Sequence, residues 1–509
     1  MTTIKQFLLV YFYAVMREKI NKIANKIIRI IASKYFFWGI ILLFLLQSIW
    51  IAFSAAYSMP YDERFHFGVI NIFGHQWSPF ILDQPTEYDI YGNLAHGDAT
   101  LFHYLMSFPC RIVSLFTNNL AVQVISLRLL CIIMVAVGIG LFNKLFKKIG
   151  IKQAFINVGM LLFVLLPIVP FLAATINYDN MLFLLTPLFL IICVDVLSSK
   201  KIIWSQYAWF LIIGCFASLV KYAFLPVFAI GVIYLVVMSY KRHGKSIFSK
   251  LLISFKSVNR LKIIGIMSLV ILAIGMFSLV YLQSLVMYGS PRPNCEKVMS
   301  KDRCEKNSVY ITYFSDQAIS TNSATRLVQT PDYISHWSLQ MVDWAAMTGG
   351  GRDRISSSLR QPLPVVYMMI FTCSIVGLLS LFYSWRSIKK KPSWYFLITV
   401  SVALIFVVFL QNYLGYLELH TYVAIQPRYI LSVVPVIIVM IVVAFNSILK
   451  NRMYLKLLIL LVTLLLFTQG GGMITYVLQS KDSWYWHNSK VIEANQTVRK
   501  ILQPFVIEK

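Results

Sequence analysis

Long uncharged stretches alternate with short polar ones along almost the whole chain. Residues 36–58 (FFWGIILLFLLQSIWIAFSAAYS) carry no charge. As a helix rising about 1.5 Å per residue, they cross a hydrocarbon core of roughly 30 Å. Comparable runs recur at 122–143, 154–174, 179–197, 203–220, 223–240, 263–283, 363–384, 394–413, 430–448 and 457–478. The pattern predicts an all-α, polytopic transmembrane bundle of about eleven spans. The fifth and sixth runs, divided only by Lys221-Tyr222, read equally as a re-entrant pair. The first run is too long for the apolar part of a signal peptide, and no small-residue cleavage site follows it.

Composition agrees: 58% of residues are hydrophobic and 13% charged, against about 25% charged in soluble domains. The net charge of +26 raises the question of nucleic acid, and its distribution answers it. With the N-terminus inside, the cytoplasmic pieces carry 27 of the 46 Lys and Arg residues but only Glu18 and Asp195 among the acids. Basic residues are retained on the cytoplasmic side during insertion. The charge therefore reads as a topology signal with attraction to anionic lipid, and nucleic acid is not an expected partner.

The runs divide the chain into a cytoplasmic segment 1–35, a membrane module 36–283, an external loop 284–362, a second membrane module 363–478 and an external tail 479–509. Within 1–35, Lys and Arg alternate with Ile, as in an amphipathic helix lying on the membrane surface. The first external loop, 59–121, contains a segment (96–117) too polar at its start to span. It reads as an interfacial helix presenting His103 and Arg111. Of seven cysteines, four lie in apolar runs and Cys110 has no evident local partner. Cys295 and Cys304 sit close together in the long external loop. An oxidising compartment favours a disulfide between them; a metal pair is the alternative, though no His stands nearby.

Candidate chemistry gathers at the outer ends of the spans. Met59-Pro60-Tyr61-Asp62-Glu63-Arg64-Phe65-His66 comes directly after the first span. Proline followed by acids is how many helices begin, yet carboxylates at the mouth of a membrane are usually functional. On a helix Asp62 and His66 share one face, and Glu63 points about 100° away. A lone histidine such as His103 is more often structural than catalytic. Asn177-Tyr178-Asp179-Asn180 is a turn signal that also brings Asp179 to the outer face. Lys221 and Arg428, the latter in Gln426-Pro427-Arg428-Tyr429, read as interfacial anchors or as a phosphate clamp. Arg128, inside the second span, is the most costly of these cations. Gly349-Gly350-Gly351-Arg352-Asp353-Arg354 reads as a lid or anion nest, on a weak signal.

In this order the pieces resemble the GT-C superfamily of membrane glycosyltransferases. The resemblance rests on Asp62-Glu63 with His66 after the first span, and on Leu101-Phe102-His103-Tyr104-Leu105 in the interfacial segment. It continues through Arg128-Leu129, Asn177-Tyr178-Asp179, Lys221-Tyr222 after a small-residue-rich span, and Gln426-Pro427-Arg428-Tyr429 before a late span. The family's prolines beside the histidine are missing, and Pro427 stands where glycine is common. The resemblance implies transfer of a sugar from a polyprenyl-phosphate donor to a glycan or glycolipid acceptor outside the cytoplasm, as in bacterial inner-membrane enzymes that decorate O-antigen. It casts Asp62 and Glu63 as catalytic, and His66, His103, Asp179, Arg128, Lys221, Arg428 and Tyr429 as donor- or acceptor-binding. It makes no cofactor certain and leaves a divalent metal possible. Two other readings compete. A secondary transporter would carry charged or broken helices near the midplane and related halves. A polymerase or ligase of lipid-linked glycans would use similar outer-face cations.

Overall fold

The computed structural model describes residues 22–95, 99–307, 310–311, 330–348, 362–422, 424–449 and 452–507. Among these, the regular structure is helical apart from one antiparallel bridge between Ala55 and Tyr485. Seven helices are long and apolar enough to cross a membrane: Lys34–Ser54, Leu120–Lys148, Tyr178–Ser198, Tyr222–Lys256, Arg260–Tyr288, Pro364–Arg386 and Pro392–Leu419. Four shorter apolar helices, Gln153–Val164, Trp204–Val220, Val434–Leu449 and Met453–Phe467, join them. Each of the eleven apolar runs of the sequence meets one of these. Of the segment 1–35, expected to be amphipathic, residues 22–31 are helical and 1–21 lie outside the described residues, as does the glycine-rich stretch 349–354.

The elements that build the end of the bundle holding the candidate residues are α1 (Lys34–Ser54), α2 (Glu63–Gly74), α3 (Leu101–Ser114), α4 (Leu120–Lys148), α5 (Gln153–Val164), α6 (Ile168–Ala173), α7 (Tyr178–Ser198), α8 (Trp204–Val220) and α9 (Leu225–His243). Later in the chain come α10 (Thr330–Ala346), α11 (Met453–Phe467), α12 (Met473–Gln479) and α13 (Ser489–Leu502). Two apolar runs expected to be continuous are broken, and the breaks meet. Pro167 lacks the N–H that would carry α5 onward, so the run restarts as α6. The carbonyl of Leu165 is left for another donor, and Gly472 N–H supplies it at 2.7 Å from the break between α11 and α12. A side chain on Gly471 would overlap Leu165 O and Phe467 O, and Gly472 has φ +60°. Glycine is needed at both.

The segment 59–121 that follows the first span folds into α2 and α3, packed against each other. Arg111 donates to Phe73 O at 2.5 Å and to Gln76 O, and its guanidinium lies 4.2 Å from the Trp77 ring. α3 leaves Leu105, Ile112 and the adjoining Leu115 and Phe116 exposed, an apolar face suited to the membrane interface. The expectation that this helix presents His103 and Arg111 needs correcting. His103 is buried, because α3 packs onto α2 by the face that carries it, ring to ring with His66. Arg111 is turned onto carbonyls at the end of α2. The C-terminal helix α13 folds back on α1, with Trp50 Nε1 donating to Asn495 Oδ1 at 3.0 Å.

Cys295 and Cys304 form a disulfide, and the turn they close reaches back to the first loop. Asp89, fully buried, accepts from Arg303 Nε at 2.9 Å, Arg303 Nη2 at 2.7 Å and Gln84 Nε2 at 3.0 Å. The Arg303 hydrogen bonds hold the Asp89 carboxyl below the usual carboxylate range, against the opposing cost of burial. Replacing Arg303 by Ala removes charge-assisted bonds from a buried acid, a local cost of about 1.5–3 kcal/mol. Hydrogen exchange should then quicken across residues 84–94. Lys306→Ala, which loses only a half-exposed 3.5 Å pairing with Asp89, should leave exchange there near wild type.

Candidate active site at one end of the bundle

The scaffold begins with Arg128, in the interior of α4, and Glu63, the first residue of α2. Both side chains are fully buried. Arg128 Nε donates to Glu63 Oε1 at 2.8 Å and Nη2 to Oε2 at 2.7 Å. Nη1 donates to Ala52 O at 3.0 Å and Ala55 O at 2.6 Å, and Nη2 to Ala56 O at 3.3 Å. All five guanidinium N–H groups are thereby used, three of them on carbonyls left open where α1 ends. Glu63 also accepts from Met59 N at 2.7 Å and Ile176 N at 3.2 Å. This arrangement corrects two expectations. Arg128 has no N–H left for a donor phosphate, and both Glu63 oxygens are taken, which leaves neither free for a substrate proton.

Asp62 faces the other way. Tyr61 and Asp62 both adopt left-handed backbone, with φ of +68° and +69°, a conformation that costs non-glycine residues of order 1–3 kcal/mol. The neighbours hold it: Asn177 Nδ2 donates to Tyr61 O at 2.7 Å, and His66 N to Asp62 O at 2.9 Å. The result is two consecutive carboxylates in opposite surroundings. The Asp62 side chain is 46% exposed, whereas that of Glu63 is fully enclosed.

Two cations close on this region from later in the chain. Arg428 sits in the 3-10 turn Pro427–Ile430 and donates through Nη2 to Asp62 Oδ2 at 2.7 Å. Its guanidinium lies 5.3 Å from the Tyr61 ring and 5.1 Å from that of Tyr429. Lys221 occupies the break between α8 and α9, where the extended backbone (φ −155°) turns its side chain inward. Its Nζ is 2.5 Å from Asp179 Oδ1 and lies over the rings of Tyr178 and Tyr429, at 4.4 and 4.5 Å. Asn177 caps α7 by accepting from Asp179 N at 2.8 Å, which sets the aspartate at the helix start.

His66 and His103 complete the group. Their ring nitrogens Nδ1 and Nε2 are 2.9 Å apart, and the Tyr178 ring meets His66 edge-on at 4.5 Å. Burial pushes both imidazoles down, His103 to about 3 and His66 well below its usual value. The neighbouring His103, Arg428 and Lys221 add to the shift of His66. Both rings are therefore neutral at physiological pH.

The structure thus brings Asp62, His66, His103, Asp179, Lys221, Arg428 and Tyr429 into one continuous patch. Glu63 and Arg128 lie beneath it. Several buried polar atoms of the patch have no hydrogen-bond partner among the described residues: Arg428 Nε and Nη1, Asp179 Oδ2 and His66 Nε2. Such atoms are costly unless a ligand uses them. Sequence reasoning missed Tyr61, Tyr178 and Trp344 of α10, whose ring is 6.3 Å from that of Tyr61. A signal was present: each aspartate of the patch is preceded by tyrosine, as Tyr61-Asp62 and Tyr178-Asp179. Among the described residues no three His, Cys, Asp or Glu side chains group as metal ligands.

This geometry has two measurable outcomes. Glu63→Gln leaves a buried guanidinium uncompensated and should destabilise the protein by about 3–5 kcal/mol, read as a fall in the thermal midpoint in detergent. The second concerns pH. An unfolded histidine takes up its proton near pH 6.5, whereas the folded pair does so only well below that. Stability should therefore decline as pH falls from about 6.5, the unfolded state binding more protons. Between pH 6.5 and 5, which lies above the usual carboxylate range, the thermal midpoint should drop, and the slope should flatten in a His66→Gln/His103→Gln double variant.

No family model and no curated protein sequence matches this chain. Among solved structures, it is similar to an oligosaccharyltransferase from Archaeoglobus fulgidus crystallised with zinc and sulfate. The identity is 11% and the TM-score 0.48, over 92% of this chain and 57% of that one. The archaeal oligosaccharyltransferase AglB from the same organism, in complex with an inhibitory peptide and a dolichol-phosphate, gives 9% identity and a TM-score of 0.43, over 94% and 60%. ArnT from Cupriavidus metallidurans in the apo state gives 11% identity and a TM-score of 0.42, over 92% and 72%. The chain spans less than two thirds of the length of the archaeal enzymes.

Proposed function

We propose that this chain is a membrane glycosyltransferase that moves a sugar from a polyprenyl-phosphate-linked donor to a glycan acceptor outside the cytoplasm. The observation that carries this reading is Arg428. It is a buried guanidinium with Nε and Nη1 unpartnered among the described residues, and it holds the half-exposed Asp62 through Nη2 at 2.7 Å. An anion clamp and an accessible base on one guanidinium are what transfer from a phosphate leaving group requires.

In the reaction, Asp62 accepts the proton of the attacking acceptor hydroxyl as its oxygen bonds to the anomeric carbon. The bond from that carbon to the phosphate oxygen breaks, and the electron pair leaves with the phosphate. Arg428, through the N–H groups not committed to Asp62, stabilises the charge that develops there. Lys221 adds positive potential while remaining paired with Asp179. The neutral His66–His103 pair shapes the wall beside Tyr178 and contributes no charge that would compete for the phosphate. A phosphate leaves without protonation by a second acid, consistent with a closed Glu63. The excess of basic residues on one set of connections supports a cytoplasmic N-terminus and an external C-terminus, and a bacterial inner membrane is the location in this reading. An envelope glycan such as O-antigen is the acceptor in this reading.

The test uses purified protein in nanodiscs with radiolabelled undecaprenyl-phosphate glucose and envelope glycan acceptors. Asp62→Asn keeps shape and removes basicity, so turnover should fall by roughly 10²–10⁴-fold with folding intact. Arg428→Lys keeps the charge and loses the fork, and should impair transfer; Arg428→Ala should impair it more. Wild-type single-turnover rates in both Asp62→Asn and Arg428→Ala would sink the proposal.

A further inference from the structure

A groove of about 340 Å³ opens beside the patch, and none of the patch residues lines it. One wall is the face of α2 that carries Gly68, Asn71 and His75; the other is the 3-10 turn Thr86–Tyr91, with Glu87, Tyr88 and Tyr91. We propose that this groove binds the sugar units of an oligosaccharide acceptor that lie behind its reacting end, so that the acceptor is a glycan chain and not a single sugar. This rests on the glycosyltransferase reading and adds to it where the acceptor's trailing sugars are held.

Position is the first argument. Residues 64, 68, 71, 72 and 75 share one helical face. Along the axis, Gly68 lies about 9 Å from Asp62 at 1.5 Å per residue. A chain lying on that face leads back to the N-terminal end of α2, where Asp62 stands. The groove reaches the site through aromatic contact: the Tyr91 ring lies 6.1 Å from that of Phe65, which in turn lies 5.4 Å from His66 and 6.0 Å from His103.

Chemistry is the second. Two tyrosines give flat apolar surfaces with polar edges, suited to the C–H faces of pyranose rings. The Glu87 carboxylate and the Asn71 amide N–H₂ supply an acceptor and a donor for ring hydroxyls, and among the described residues neither is engaged elsewhere. The volume, at the lower end of the roughly 300–1,000 Å³ of ligand sites, admits more than one ring.

Construction is the third. A side chain at position 68 would overlap the Tyr91 ring, so glycine there lets Tyr91 lie close on α2. The far wall is braced from outside: Asn307 Nδ2 donates to Ile90 O at 3.1 Å, Gln84 Nε2 to Gly92 O at 2.8 Å, and Arg303 holds Asp89. A surface turn with that many supports is pre-organised for a ligand.

The full-length protein in nanodiscs would be titrated with maltotriose, cellotriose, laminaritriose and chitotriose, and with the methyl monosaccharide of each, by saturation-transfer NMR. At least one trisaccharide should bind about tenfold more tightly than its monosaccharide. That advantage should vanish in Tyr88→Ala and shrink in Glu87→Gln, both of which should keep the wild-type thermal midpoint. It should survive in Arg428→Ala. If no trisaccharide outbinds its monosaccharide, or if both groove variants bind as wild type does, the groove is not a glycan site. Trisaccharide binding that behaves as expected in a protein without donor turnover would uphold the groove and sink the donor reading instead.

Discussion

One buried ion pair organises the end of the bundle that holds the candidate site. Arg128 stands within a membrane helix, where a charge is tolerated only if fully compensated. Glu63 provides that compensation, and three carbonyls at the end of α1 absorb the remaining N–H groups. Because Glu63 must point inward, the residue before it is forced to the opposite side. The left-handed backbone of Tyr61 and Asp62 is the local cost of that reversal. The pair also ties together α1, α2, α4 and the turn before α7, through Ile176 N. Everything in the candidate site is set by which way those four elements enter and leave.

Helix breaks do the rest of the positioning. Lys221 reaches the site because α8 stops one residue earlier and the backbone becomes extended. Arg428 arrives in a proline-started turn, and Asp179 at a capped helix start. A continuous helix would send these side chains out at fixed angles toward lipid. Interrupting it at the outer end converts each charged residue into one that approaches its neighbours from a different direction. The phenol rings between the charges keep them apart and exclude water, and burial pushes the Tyr61 phenol well above its usual value, so it stays neutral.

How much of this could be read in the residues differs by level. The apolar runs were legible because hydrocarbon thickness imposes a length that no soluble helix needs. The clustering of Asp62, His66, Asp179, Lys221 and Arg428 was legible as a common side of the membrane. Which acid was free was not. Helical periodicity separates Asp62 from Glu63 by about 100°, but it does not say that Asp62 is left-handed and outside the helix. Arg128 was conspicuous for its cost, yet cost alone does not distinguish a ligand site from a sealed pair. Its acceptors are mostly backbone carbonyls, and these have no residue code. The break at Gly470-Gly471-Gly472 could have been suspected from composition, whereas its partner carbonyl at Leu165 lies far back along the chain, two-thirds of the way toward the N-terminus.

The separations along the chain carry a consequence for how the molecule is made. Glu63 meets Arg128 across 65 residues, whereas Asp62 meets Arg428 across 366. During synthesis the scaffold contacts can close while most of the polypeptide is still to come, as early-made units generally do. The catalytic candidate must wait beside them until the last third of the chain is threaded into the bilayer. A nascent or prematurely terminated product would hold a well-formed pedestal with an unclamped aspartate. The guanidinium that holds Asp62 therefore arrives near the end of translation.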